Sequence, residues 1–394
     1  MTDDPQPVTS SARTSTTGKR LQELTPAAMW TTALVITILT AGAVIALWWP
    51  ATAGLVGADL VRARLDALKI GLSIGVGSGG VVALYLAWRR QHSTEASLAH
   101  QERTADDART DAVERRITEL YLKAAELLGS EKAPVRLSGL YALERLAQDN
   151  ETQRQTIVNV FCAYLRMSYD LPAEKDRDEG ASAEQHELYR ERAQEREVRL
   201  AAQRLLNDHL NPDRGAAYWG ELDLDLTGAL LIDFDLTQAR VGTSFFRHAT
   251  FTGMSWFFGT TFTGDVRLGG ATFTGDVWAD KATFNGTTRF DGVTFTGGAT
   301  FRGSTFTGDA WFIRTTFTGK AWFDDTTFTG DARFDEATFT GDAKFNRTTF
   351  TGDAKFDETT FTGDARFRGA TLGSEPFQPT FASDDKRDAS GQSG

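Results

Sequence analysis

From Leu226 onward the apolar positions keep a short, regular beat. Leu226, Leu231, Leu236, Val241, Phe246 and Phe251 are five residues apart, and from Phe251 to Leu372 the interval alternates between six and five. Two residues before almost every member stands Ala, Ser, Thr or Val, as at Ala239, Ala271, Ala310, Ala332 and Ala365. A helix repeats every ~3.6 residues and a strand every ~2, so neither produces this interval. An interval this short, sustained this long, predicts a solenoid.

In an extended segment residues two apart share a face, which sends Ala332 and Phe334 inward and Arg333 and Asp335 outward. A glycine or another turn residue then bends the chain into the next side. Four sides close in about twenty residues, and the Asp of the "TGD" corner, added on two sides, makes about twenty-two. Successive coils stack about 4.8 Å apart, with Phe262, Phe284, Phe306, Phe328, Phe334 and Phe350 expected in the core stack. Burying each ring is worth roughly 1.5–3 kcal/mol, which offsets the entropy of ordering the coil.

The stretch 222–372, with units such as "ATFTGDARF", resembles the pentapeptide-repeat proteins, whose pattern A-(D/N)-(L/F)-x-x winds a right-handed, quadrilateral β-helix. The resemblance implies that fold over 216–376. That family often has Asp or Asn just before the central residue. Here Thr, Arg, Lys or Trp stands there instead, so a function tied to those acids does not carry over.

The first ninety residues read differently. Residues 1–26 are rich in Ser, Thr, Asp and Pro and are expected to be a disordered tail, as are 377–394. Two apolar stretches, 27–49 and 70–88, are long enough to cross a bilayer and predict a transmembrane hairpin over 27–90. Trp30, Trp48, Trp49, Tyr85 and Trp88 stand where an aromatic belt belongs. The first stretch starts late and lacks a small-residue cleavage site, which argues against a cleaved signal peptide. Lys19, Arg20, Arg89 and Arg90 favour both termini on the cytoplasmic side of a bacterial inner membrane, although Arg62, Arg64 and Lys69 in the loop weaken that bias. The run from Gly75 to Gly80 lies inside an apolar span, which points to close helix packing rather than to a nucleotide loop.

Between hairpin and repeats the spacing turns helical. Val113, Ile117, Leu120, Ala124, Leu127 and Leu128 mark one helix stopped by Gly129. Ser130 with Pro134 opens a second, and a third carries Ile157, Val158, Phe161 and Leu165. The segment "APVRLSGLYALERLAQDNETQRQTIVNVFCAYLR" resembles the HEAT-like helical module that precedes pentapeptide repeats in bacterial membrane proteins, giving a helical module over 91–215. A charged linker near 172–186 and a helix over 187–208 follow. The helix is expected to cover the first coil, because an open solenoid end exposes core and strand edges.

Chemistry is sparse. The five histidines show no metal-ligand spacing, the lone Cys162 excludes an intrachain disulfide, and no nucleotide-loop or nucleophile motif stands out. No catalysis, cofactor or metal is expected. Asp309, Asp331 and Asp353 recur every twenty-two residues, as do Asp342 and Asp364, beside Arg333, Lys355, Lys344 and Arg366. A charge-balanced surface explains them, with calcium binding as the sharper alternative.

The net charge of −11 invites comparison with relatives that mimic DNA and modulate type II topoisomerases, yet 238–372 hold 15 acids against 14 bases. Paired threonines such as Thr305 and Thr307 would suit an ice-binding array, but strand propensity accounts for them. The favoured reading is a membrane-tethered scaffold whose partners are the lipid bilayer and a protein, with nucleic acid not expected. One outward column, Trp256, Trp278, Thr300, Trp322, Lys344 and Arg366, joins Phe258 as the candidate partner surface. The opposite column reads Arg267, Arg289, Trp311, Arg333, Lys355.

Overall fold

The computed structural model describes residues 26–52, 57–173, 175, 177, 180 and 182–379. The two expected tails, apart from Pro26 and residues 377–379, lie outside them, as do Lys19 and Arg20. The chain divides into two compact units, Met1–Asp111 and Ala112–Gly394.

The first unit is helical. α1 covers Pro26–Thr52 and α2 begins at Ala58, running unbroken for 71 residues to Leu128. Among the described residues one stretch, Ala33–Pro50, is long and apolar enough to cross a membrane, with a mean hydropathy of 2.0. Residues 70–88 form an internal part of α2, so no element ends at the expected boundary near residue 90. At Gly77 and Gly80 nothing outside α2's own nearby backbone lies within 4 Å of where a Cβ would stand.

In the second unit the end of α2 meets α3 (Ala133–Asp149), α4 (Arg154–Arg166) and α5 (Ala183–Leu210). Gly139 permits the tight crossing of α3 over α2, since a Cβ there would stand 2.7 Å from the Leu128 backbone nitrogen. The residue capping α3 is Lys132 and not Ser130. α5 starts at Ala183, earlier than its apolar spacing suggests, because Ser182 and Gln185 form a reciprocal capping box. Arg199, only 2% exposed, binds the carbonyls ending α4, donating to Leu165 O at 3.0 Å and Met167 O at 2.7 Å, while Glu195 takes its Nε at 3.0 Å. A buried charge is tolerable when every donor face is used in this way.

The solenoid then winds as four parallel ladders. After β1 (Leu222–Asp225), one holds seven rungs, from β2 (Leu230–Ile232) to Thr360–Phe361, and another holds six, from Ser255–Trp256 to Ala365–Arg366. The remaining two are joined by β3 (Arg240–Phe245), which bends round a corner and pairs with both Thr261–Phe262 and Val266–Arg267. The register tightens along the chain. Leu231 pairs with Phe251, Val241 with Phe262 and Phe251 with Phe273, so the coil grows from 20 to 22 residues as the corner residues appear. The last rung, Thr371–Leu372, is met antiparallel by Glu375–Pro376, and Phe377 folds against Phe350 and Phe356.

Inside, the rings stack coil upon coil. Phe262, Phe284, Phe306, Phe328 and Phe350 form one column with centroids 4.5–5.2 Å apart, and Phe334 lies 4.8 Å from Phe312 in another. Ala279 interrupts a third column, beside a cavity of about 20 Å³. At one set of inward Ser and Thr positions the hydroxyl finds a carbonyl of the coil before, as Thr326 does on Phe301 at 2.8 Å and Ser304 on Ala279 at 2.6 Å. These hydroxyls are therefore buried without an unmet hydrogen bond.

Candidate functional site

The outward residues of the six-rung ladder stand in strict register. Trp256 pairs with Trp278, Trp278 with Thr300, Thr300 with Trp322, and Trp322 with Lys344, which in turn meets Arg366. On another ladder Arg267, Arg289, Trp311, Arg333 and Lys355 follow one another in the same way. Trp278 is 38% exposed and Phe258 37%, with Met254 exposed to the same degree nearby in sequence. Two strand residues, one in and one out, thus position each side chain through the pleat alone.

The indoles do not stack upon each other. No ring contact joins Trp256 to Trp278, while cations cover other outward rings. Arg302 and Lys344 sit on Trp322 at 4.9 and 5.2 Å, Arg289 on Trp311 at 4.0 Å, and Lys281 on Phe258 at 5.6 Å. Each such contact contributes roughly 0.5–1 kcal/mol at an exposed site. Arg302 is itself held. Its Nε donates to Thr300 Oγ1 at 3.1 Å and a terminal nitrogen to Asp280 Oδ2 at 3.1 Å, while the Thr300 hydroxyl binds Asp280. The Trp322 ring is therefore fixed before anything approaches it.

Four candidate surface residues fall into three places. Trp278 and Trp322 flank a slot of about 290 Å³, floored by Gly298, Ala299 and Thr300 and edged by Asp276 and Lys320. Trp256 is half-buried and lines a separate groove with Leu200, Gln203, Arg204 and Asn207 of α5, so it does not continue the exposed stripe. Phe258 lies under Lys281. The six core phenylalanines are all buried. Arg302, Lys320 and Gly298 had no part in the sequence reading, although steps of 22 from Asp276 reach Gly298 and then Lys320, and one step from Asp280 reaches Arg302.

The acidic columns have a structural occupation. Carboxylates of these columns accept the backbone N–H one coil later, as Asp309 does from Asp331 and Asp331 from Asp353, both at 3.1 Å. Asp335, assigned outward by the alternation, is only 7% exposed and is clasped by Arg333 at 2.6 Å. The Arg347 guanidinium on Asp325 holds that carboxyl below the usual range. Burial pushes the Cys162 thiol up to about 12, which leaves it protonated and inert at neutral pH. Among the described residues no group of three or more His, Cys, Asp or Glu side chains is placed to hold a metal ion.

The 22-residue register, four ladders and ring columns together define the repeat. The pentapeptide-repeat family model matches it in nine copies, over residues 236–278, 257–305, 279–327, 290–338 and 334–375. Residues 236–375 are pentapeptide repeats. No curated protein and no solved structure matches the chain. Within the pentapeptide repeats, Trp278 falls in the first and second matched stretches and Trp322 in the third and fourth, on the second and fourth rungs of the six-rung ladder.

Proposed function

We propose that the protein is a non-catalytic, membrane-tethered scaffold that presents its pentapeptide-repeat solenoid to a protein partner. The exposed indole of Trp278 and the half-buried, cation-braced indole of Trp322, facing each other across an open slot, carry this reading, because aromatics lining a surface cleft mark a contact surface. The apolar stretch Ala33–Pro50 supports the tether, with residues 70–88 of α2 as a second crossing and the solenoid on the cytoplasmic side of a bacterial inner membrane. The nearly even count of 15 acids and 14 bases over 238–372, many paired as in Arg333 with Asp335, speaks against DNA mimicry.

Recovery of partners by crosslinking and pull-down from membranes tests the proposal. Trp278→Thr with Trp322→Thr is expected to abolish recovery while circular dichroism stays unchanged. Identical recovery from this double variant would remove the surface from consideration.

A further inference from the structure

We propose that the slot between Trp278 and Trp322 binds a proline-rich peptide in the polyproline II conformation, with an acidic residue beside the prolines. This rests on the scaffold reading above and names the chemistry of its partner.

The slot is a gap built into one coil. Along the outward ladder the neighbouring coils carry Trp278 and Trp322, but the coil between carries Thr300. At the preceding corner Asp276 and Lys320 flank Gly298, where a Cβ would meet nothing nearer than 3.5 Å. Both reductions fall in the same coil, and together they leave an open floor between two indoles. The walls are two rungs apart, which is about 9.5 Å at the usual strand spacing.

That separation selects a ligand shape. A polyproline II helix rises about 3.1 Å per residue with three residues per turn, so positions i and i+3 recur on one edge about 9.3 Å apart. An extended strand repeats a face every ~6.7 Å and an α-helix every ~5.4 Å, and neither matches. Strand addition to this face is also closed off, because its rungs are already paired on both sides from Val277–Trp278 to Ala343–Lys344. An aromatic platform braced as Trp322 is by Arg302 and Lys344 suits a preformed proline helix, since little ordering entropy remains to be lost there.

Charge settles the flank. Asp276 is occupied, accepting the Gly298 N–H at 2.7 Å, and Arg302 is paired with Asp280. Lys320, on the slot's edge, has no ion pair among the described residues, and Lys344 lies beyond Trp322. Two ammonium groups near one end favour a carboxylate there.

The test uses the full chain in detergent, a fluorescent peptide of nine prolines followed by two glutamates, and fluorescence anisotropy. Binding is expected to weaken at least tenfold in Trp278→Thr, Trp322→Thr and Gly298→Asp, and to stay within twofold in Trp311→Thr on the other ladder. Lys320→Glu is expected to weaken the glutamate peptide and favour one ending in lysine. Equal affinity in all variants, or equal binding of a Gly/Ser peptide with the same glutamates, overturns the proposal. Loss of anionic-vesicle binding rather than peptide binding in the indole variants also overturns it, in favour of a membrane contact. Should the membrane pull-down remain indole-dependent while the proline peptide fails to bind, this inference falls and the scaffold reading stands.

Discussion

Gln203 on α5 meets Ile232 of the first coil in both directions: its Nε2 donates to the Ile232 carbonyl at 2.6 Å and its Oε1 accepts the Ile232 N–H at 3.0 Å. One side chain thus stands in for the missing strand. Gln155 on α4 does the same for Asp223, with both bonds at 2.9 Å. An unpaired edge inside the molecule would leave backbone groups unsatisfied, each costing about 1–3 kcal/mol. Gln203→Leu is therefore expected to lower stability by about 2 kcal/mol, read by thermal denaturation. Gln203→Glu, which sets a buried carboxylate oxygen against the Ile232 carbonyl, is expected to cost more than the leucine at neutral pH and less once the carboxyl is protonated in acid. No change in either variant would mean that water can replace the amide.

Glycine at the "TGD" corner answers to a different constraint. A Cβ on Gly330 would stand 2.6 Å from the carbonyl carbon of Gly308, one coil below, where the backbone has nowhere to move. Gly330→Ala is expected to cost more than about 2 kcal/mol, whereas Gly298→Ala, whose Cβ meets only ordinary contacts, costs little. Comparable melting temperatures for the two would contradict the close approach.

Inside and outside of one rung can be compared directly. Phe334→Asp buries a charge in a ring column and is expected to cost over about 4 kcal/mol. Arg333→Thr leaves the shielded Asp335 without its clasp and is expected to cost about 1 kcal/mol. Lys355→Thr, exposed one coil on, is expected to be neutral. A denaturant series checks the order.

Burial raises the Asp291 carboxyl above its usual range despite the Arg289 charge nearby. A raised folded-state value means the fold holds the proton more tightly than the unfolded chain does. The contribution to stability is present below the unfolded value of about 4 and is lost as pH rises through the folded one. Asp291→Asn is expected to be the more stable protein at pH 7, by no more than about 0.5 kcal/mol, with the difference vanishing in acid. Melting curves across that window decide it.

Topology is open to labelling. In a Cys162→Ala background, Ala58→Cys is expected to react with an impermeant thiol reagent on intact cells, and Gly394→Cys, outside the described residues, to be protected. The reverse pattern would place the solenoid outside the cell.

The solenoid was legible because its signal repeats: each phenylalanine restates the same inside position, and an error at one rung is corrected by the next. The cap offered no such redundancy. That α5 would shield the first coil followed from the need to close an end, but nothing in the residues around Gln203 or Gln155 announces an amide facing a strand edge. Ser182 and Gln185 carry a capping signature three residues apart, but they stand inside a charged, linker-like run that hides it. The alternation also misplaced Asp335, because pleat parity says where a side chain starts and not where a neighbouring arginine draws it. Trp256 was grouped with its column on register alone, while the helix beside it decides its surroundings.

The two-step interval of five and six has a geometric corollary. Eleven residues carry the chain halfway round the square, and twenty-two carry it one rung along the axis. Length changes in this protein are therefore quantised. Inserting a whole twenty-two-residue unit before Asp276 would slide the indole slot about 4.8 Å further from α5 without turning it. Inserting eleven would swing it to the far side of the rod. The repeat number acts as a ruler and its parity as a compass, so the distance and the bearing of a docked partner can be reset independently.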